Sequence, residues 1–251
     1  MQRRFGSLCD DFYVSSRLYL KLELSLERET VLHFFERISR EYPTMRKFRR
    51  RDDGGLVLEE EDGEGAACRW LRLEPMCLRF GFFSPPDASA YQRFARFILE
   101  QAPYHLTLSE FDIDNLELVY GFEMEYRGNH DQLVAETFYA DHPFAAFVLG
   151  EEAAHAIDVQ PYLGIALTPA CDVQAHVEIK SRTSTFEVRT GEYDQQIISV
   201  YLMTRKYWGF GASTGLLDAH ALLCRHADHL AVEKVVPILV NPLAQAIASR
   251  P

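Results

Sequence analysis

Between Leu116 and Arg127 the apolar residues Leu116, Leu118, Tyr120, Phe122, Met124 and Tyr126 are interleaved with Glu117, Gly121, Glu123, Glu125 and Arg127. A period of two along this length demands a strand with one buried and one wet face. Gly128 and Asn129 break the pattern, and Asp131 opens a short helical run through Leu133, Val134 and Phe138. The N-terminal region has the same grammar: Leu18, Leu20, Leu22, Leu24 and Leu26 alternate with Tyr19, Lys21, Glu23 and Ser25, and the helical stretch ERETVLHFFERI follows. A shift of 102 positions lays Leu20 on Phe122, Leu22 on Met124, Leu24 on Tyr126 and Val31 on Leu133. This repeat predicts an α+β fold of two related halves, residues 1–115 and 116–251. Each half is a mainly antiparallel sheet backed by helices, and the two pack as one unit. The leucine face at 18–26 is expected to be buried, which would make Leu22→Asp costly.

The remaining elements follow from local signals. Residues 1–16 read as an irregular lead-in, 18–26 as a strand and 27–41 as a helix ended by Tyr42–Pro43. MRKFRRRDDGGLVLEEEDGEG reads as a hairpin turning at Asp52–Gly55. It sets Arg46, Lys47, Arg49, Arg50 and Arg51 against Glu59, Glu60 and Glu61, a self-neutralising surface element. A second hairpin turns near Pro75, and a helix over 88–101 closes at Pro103. Residues 140–163 predict one short helix. GIALT, AHVEIKSRT, TFEVRTG and QQIISVYLMTRKYW read as successive antiparallel strands. GFGASTG then leads into a helix over about 216–235, which Pro237 interrupts, and a last short helix starts at Pro242.

Composition bounds the function class. Hydrophobic residues make up 47% and charged residues 25% of the 251 positions, as in ordinary globular chains. A formal charge of −11 argues against generic binding to nucleic acid or to anionic membrane. Five cysteines without a C-x-x-C pair fit a reducing cytoplasm better than a disulfide framework. No apolar run is read as a signal peptide or as the roughly 20 residues of a membrane span.

Three groups of residues are candidates for chemistry. The turn at 209–215, with Gly209, Gly211, Ser213 and Thr214 before a helix and Arg205 and Lys206 just upstream, has the makings of a phosphate site. Arg205 and Lys206 belong to opposite faces of their strand, so only one can point inward. The alternating charges Glu123, Glu125 and Arg127, with His176, Glu178, Lys180 and Arg182, project from strand faces. Acids so placed could hold a divalent metal and bases a phosphate. Over one short strand this resembles the signature of the triphosphate tunnel enzymes, which implies a closed barrel. The stretch departs from that signature by standing mid-chain and ending in Arg127. Last, His226, His229 and Glu233 lie at i, i+3 and i+7 on a helix, a spacing a metal site needs, whereas His220 falls on the Leu216–Leu223–Leu230 core stripe. No nucleophile elbow, zinc-protease or nucleotide-loop motif is present. The sequence therefore predicts a cytosolic binding or assembly module with a protein or small-molecule partner and room for oligomerisation. The alternative is a metal-dependent phosphohydrolase or nucleotide-binding enzyme. No cofactor is specified.

Overall fold

The computed structural model describes residues 9–61, 67–150, 154–209 and 214–250. Its frame is one nine-stranded sheet in the order β2-β3-β4-β5-β1-β6-β9-β8-β7, with every neighbouring pair antiparallel. The strands are β1 Asp11–Leu20, β2 Met45–Arg50, β3 Leu56–Glu60, β4 Cys68–Glu74 and β5 Cys77–Phe83 in the first part of the chain. β6 Ile113–Arg127, β7 Tyr162–Ala166, β8 Val173–Lys180 and β9 Gln195–Tyr207 follow. The helices are α1 Arg28–Glu41, α2 Ala88–His105, α3 His130–Phe138, α4 Ala145–Val148, α5 Thr185–Thr190, α6 Leu216–Leu230 and α7 Asn241–Ala248. The fold is thus α+β on an antiparallel sheet. It is open, with β2 and β7 as separate edges, so the closed barrel implied by the tunnel-enzyme resemblance is not formed.

Period-two alternation puts the even-numbered side chains of β1 and β6 on one face. Phe12, Val14, Leu18, Leu20, Leu116, Leu118, Tyr120, Phe122 and Met124 are all buried there. The amphipathic helices cover that face. Phe94 of α2 meets Phe80 edge-on, Tyr91 shares a 2.7 Å hydrogen bond with Ser16, and Tyr120 donates to Asp228 of α6 at 2.9 Å. A fully buried Val, Leu, Ile, Phe or Met contributes about 1.5–3 kcal/mol, and this layer is the core.

Several expectations are corrected. The first strand is Asp11–Leu20, not 18–26. The neighbouring strands β5 and β6 run out beside Leu20, where the register also slips, so the ladder stops there; beyond it Leu24 keeps a single main-chain bond to Pro75 O, and Leu24 and Leu26 are half-buried against the core. Leu22 is 65% exposed and an aspartate there would meet water, so the expected cost of Leu22→Asp loses its basis. The start of β1 escapes the alternation rule because Ser15 and Ser16 are buried polar residues. TFEVRT is α5, not a strand. Ser184 caps Glu187 N–H and the Glu187 carboxylate accepts from Ser184 N–H, the reciprocal capping box of an S-x-x-E sequence. α2 continues through Pro103 to His105, because a proline in the last turn costs only one ladder bond.

Pro237 does not interrupt the C-terminal helix either. Ala231–Val240 is π-helical and joins α6 to α7, with Asn241 N–H reaching back to Val236 O. The wider turn makes room for the proline ring. Leu216–Ala248 is consequently the one helix among the described residues long and apolar enough to cross a membrane by length and composition, contrary to the sequence reading. Its buried Ala219, Leu223, Ala227 and Leu230 form one flank of the core.

In the β2–β3 hairpin, Lys47 and Arg49 both reach Glu59, while Glu60 turns to the helix side and pairs with Arg69 at 2.7 Å. Glu60 therefore does not face the arginines of β2 as expected.

Candidate binding face on the open side of the sheet

α1, α2, α6 and the π stretch occupy one face, so among the described residues the opposite face of β1, β4–β6, β8 and β9 carries mainly the strands' own side chains, with Arg182 reaching onto it from beyond β8. Register fixes what lies there. One cross-strand row reads Arg72 (β4), Arg79 (β5), Arg17 (β1), Glu117 (β6), Arg205 (β9) and Gln174 (β8). Two residues along, the row is Trp70, Gly81, Ser15, Val119, Met203 and His176. The next is Cys68, Phe83, Tyr13, Gly121, Tyr201, Glu178 and Tyr162.

The arginine row is organised around Glu117, which is 0% exposed. Arg17 donates to it at 3.1 Å, and Arg205 pairs with its other oxygen through Nε. Burial, the largest single effect, would lower the pKa of either arginine, but Glu117 together with the neighbouring tyrosines more than offsets it and holds both above their usual value. Arg72 and Arg79 likewise share Glu74, and Asp53 at the rim serves Arg72 and Arg51. Five guanidinium groups thus face three carboxylates on a chain of net charge −11. Among the described residues, Arg17 Nε, Arg72 Nε, Arg79 Nε and Trp70 Nε1 are buried donors on this face without a hydrogen-bond acceptor, although Arg72 Nε is ion-paired with Glu74, whose Oε1 also lacks a donor in hydrogen-bond geometry. Buried polar atoms are nearly always paired, so the donors on Arg17, Arg79 and Trp70, which have no ion-pair partner at that atom either, call for acceptors.

The rings of the aromatic row are tilted to one another by 55–59°. The Tyr13 ring covers Gly121, where any side chain would run into it, and packs on Phe83 (5.3 Å between centroids) and Tyr201 (6.4 Å). Burial and the neighbouring Tyr201 push the Tyr13 hydroxyl upward, so it stays a neutral donor. His176 stacks on Tyr162; its Nδ1 accepts from Tyr162 OH at 3.0 Å and its Nε2 donates to Gln174 at 3.2 Å. Burial first, and Arg205 second, lower its pKa and keep it neutral.

The charged residues singled out from sequence sit at the far end of this same face. Glu123, Ser199 and Lys180 share a row. Glu125 accepts from Gln195, Arg127 donates to Tyr193 O at 3.0 Å, and Arg182 donates to Ser199 Oγ at 3.0 Å. Lys180 lies 3.9 Å from Glu178. Burial raises the Glu123 pKa, partly offset by Arg182. Among the described residues no three His, Cys, Asp or Glu side chains group as metal ligands, so neither this set nor His226, His229 and Glu233 converges on one point.

At the turn, Gly209 has φ +100° and the N-cap of α6 is Gly215 rather than Ser213 or Thr214. Gly211 and Ser213 lie outside the described residues. Arg205 is engaged with Glu117 and Lys206 with Asp172, on opposite faces, and the Thr214 carbonyl accepts from Trp208 Nε1 at 3.2 Å. His220 and Cys224 form a buried pair 3.7 Å apart. Burial lowers the imidazole to about 4 and raises the thiol to about 12, so the neutral pair holds no thiolate nucleophile.

Glu117, Arg17, Arg79 and Arg72 were not foreseen as a site. They come from four different strands, and only the antiparallel register aligns them. No family model matches the chain and no curated protein matches it, so the functional reading rests on this face.

Proposed function

We propose that the protein is a cytoplasmic, non-catalytic binding module whose open sheet face receives an extended acidic segment of a partner protein. The observation that carries this is the row Arg72–Arg79–Arg17–Glu117–Arg205, with its excess of guanidinium over carboxylate and its orphan donors. Guanidinium groups bind carboxylates through paired, charge-assisted hydrogen bonds. An open face of aromatic rings and arginines also fits an extended segment better than an enclosed small molecule. The cytoplasmic placement is supported by five cysteines with no C-x-x-C pair among them.

Calorimetric titration with a short glutamate-rich peptide tests the proposal. Binding should weaken as salt rises, and the double variant Arg72→Gln, Arg79→Gln should bind about ten-fold more weakly, the equivalent of one lost charge-assisted bond. Salt-independent binding, or equal affinity in the variant, would sink it. The aromatic row beside the arginines supports a second reading, a nucleotide with its base on Tyr13 or Phe83 and its phosphates on the arginines. ADP in the same titration separates the two.

We further infer that the halves arose by duplication. β1 and β6 pair at the sheet centre and begin at Asp11 and Ile113, while α1 and α3 begin at Arg28 and His130; both pairs are 102 residues apart. In each half the last strand, β5 or β9, returns beside the first. The first and last described segments reach the same end of β6: Asp10 accepts from Glu125 N–H and Arg250 donates to Tyr126. A circular permutant opened at 107–109 and joined through a flexible linker should therefore fold. An unfolded permutant would count against the halves as units.

A further inference from the structure

The two edges of the sheet are built differently. β2 presents Arg46, Lys47, Arg49 and Arg50 along six residues, the charged blunting by which edge strands avoid pairing with other chains. β7, Tyr-Leu-Gly-Ile-Ala over 162–166, carries no charge and all five of its residues are exposed. Ile179 N–H donates to Pro161 O and Leu167 N–H to Val173 O, so the odd-numbered residues of β7 spend their main-chain groups on β8. By the alternation of an antiparallel ladder, the N–H and C=O groups of Tyr162, Gly164 and Ala166 point away from the sheet. On the helix side, Leu163 (65% exposed) and Ile165 (49%) flank a groove of about 250 Å³ completed by Leu230, Val235, Ile238 and Leu239, with Lys234 beside it.

We propose that β7 is a self-association edge: two copies join β7 to β7, antiparallel about a two-fold axis at Gly164, into one continuous sheet. In this register Tyr162 pairs with Ala166 of the second copy and Gly164 with Gly164, using every outward main-chain group. Leu163 falls opposite the second copy's Ile165, closing the groove from both sides. Charge selects the occupant. Joining β2 to β2 would set cations against cations, and joining β2 to β7 would leave a free edge at each end and grow a filament. Only the β7 pair is uncharged and closed, on a chain whose copies otherwise repel at −11.

Sedimentation across a concentration series tests the edge. The protein should reach twice the chain mass and no more. Ile165→Lys, which places two lysines across the junction, should weaken association at least ten-fold while circular dichroism and melting at low concentration stay unchanged. Exchange of the Gly164 amide should slow as concentration rises, whereas the Leu163 and Ile165 amides, already bonded to β8, should not respond. A monomer at every concentration, a dimer indifferent to Ile165→Lys, or growth beyond a dimer would each overturn the proposal.

Discussion

Replacing Glu117 by alanine should lower the unfolding free energy by about 3–5 kcal/mol, the cost of removing one partner from a buried ion cluster. The carboxylate is 0% exposed and sits directly across from Arg17 on one side and Arg205 on the other. Without it, Arg79, Arg17 and Arg205 line up with no anion between them, and their repulsion adds to the lost hydrogen bonds. Because these arginines are about a quarter exposed, salt should recover part of the loss, since exposed charges are screened within about 8–10 Å at 0.1–0.15 M. Glu117→Gln keeps the volume and one acceptor and should cost less. Urea unfolding of the three proteins measures this, and an alanine variant as stable as the parent would show that the carboxylate holds nothing together.

The cluster also separates stability from binding. Exchanging a whole buried ion set for apolar residues of similar size is often neutral or stabilising. The triple variant Arg17→Met, Glu117→Leu, Arg205→Met should therefore fold about as stably as the parent, yet lose the salt-sensitive affinity for acidic peptide. If it is as unstable as Glu117→Ala, the cluster serves the fold and the binding proposal loses its main support.

Alternation made the long central strand and its buried face legible, because β6 is paired on both sides and its period never has to yield to an edge. The same rule misplaced β1. Leu22, Leu24 and Leu26 continue a strand pattern after the neighbouring strands have ended, and buried Ser16 disguises a strand residue by trading its polarity for a bond to Tyr91. Thr185–Thr190 shows a signal present but unread: β-branched content argued for a strand, while Ser184 and Glu187 spelled out a helix start. Pro237 misled for a different reason, since a proline stops a helix only where the ladder cannot widen. The binding face was the least legible part. Charge alternation marked the face as wet, but which charges share a row depends on registers set by five strands far apart in sequence.

Acid should unfold the protein earlier than its carboxylates alone would require. His220, 5% exposed between Tyr91 and Cys224, has its pKa lowered by burial from 6.5 to about 4. A histidine depressed in the folded state binds fewer protons there than in the unfolded chain, so its contribution is fully present above pH 6.5. It is lost as pH falls toward 4, by about 3 kcal/mol in all. Burial lowers His130 as well, and its Nδ1 accepts from Arg182 N–H, a bond that protonation would break, so it acts in the same direction. Asp87, Asp172 and Glu187, held low by their hydrogen bonds, give up their contributions only below about pH 4. Glu123, raised by burial, acts weakly the other way. Denaturation at a series of pH values isolates His220 through the difference between parent and His220→Leu, a substitution that continues the Leu216–Leu223–Leu230 stripe. The variant should lose the His220 share of the slope between pH 6.5 and 4, keep the part due to His105, His130, His176 and His226, and keep the steeper fall below it. Identical slopes in the two proteins would mean that the imidazole already finds a proton acceptor in the folded state, and that the helix–sheet layer around it is wetter than its burial implies.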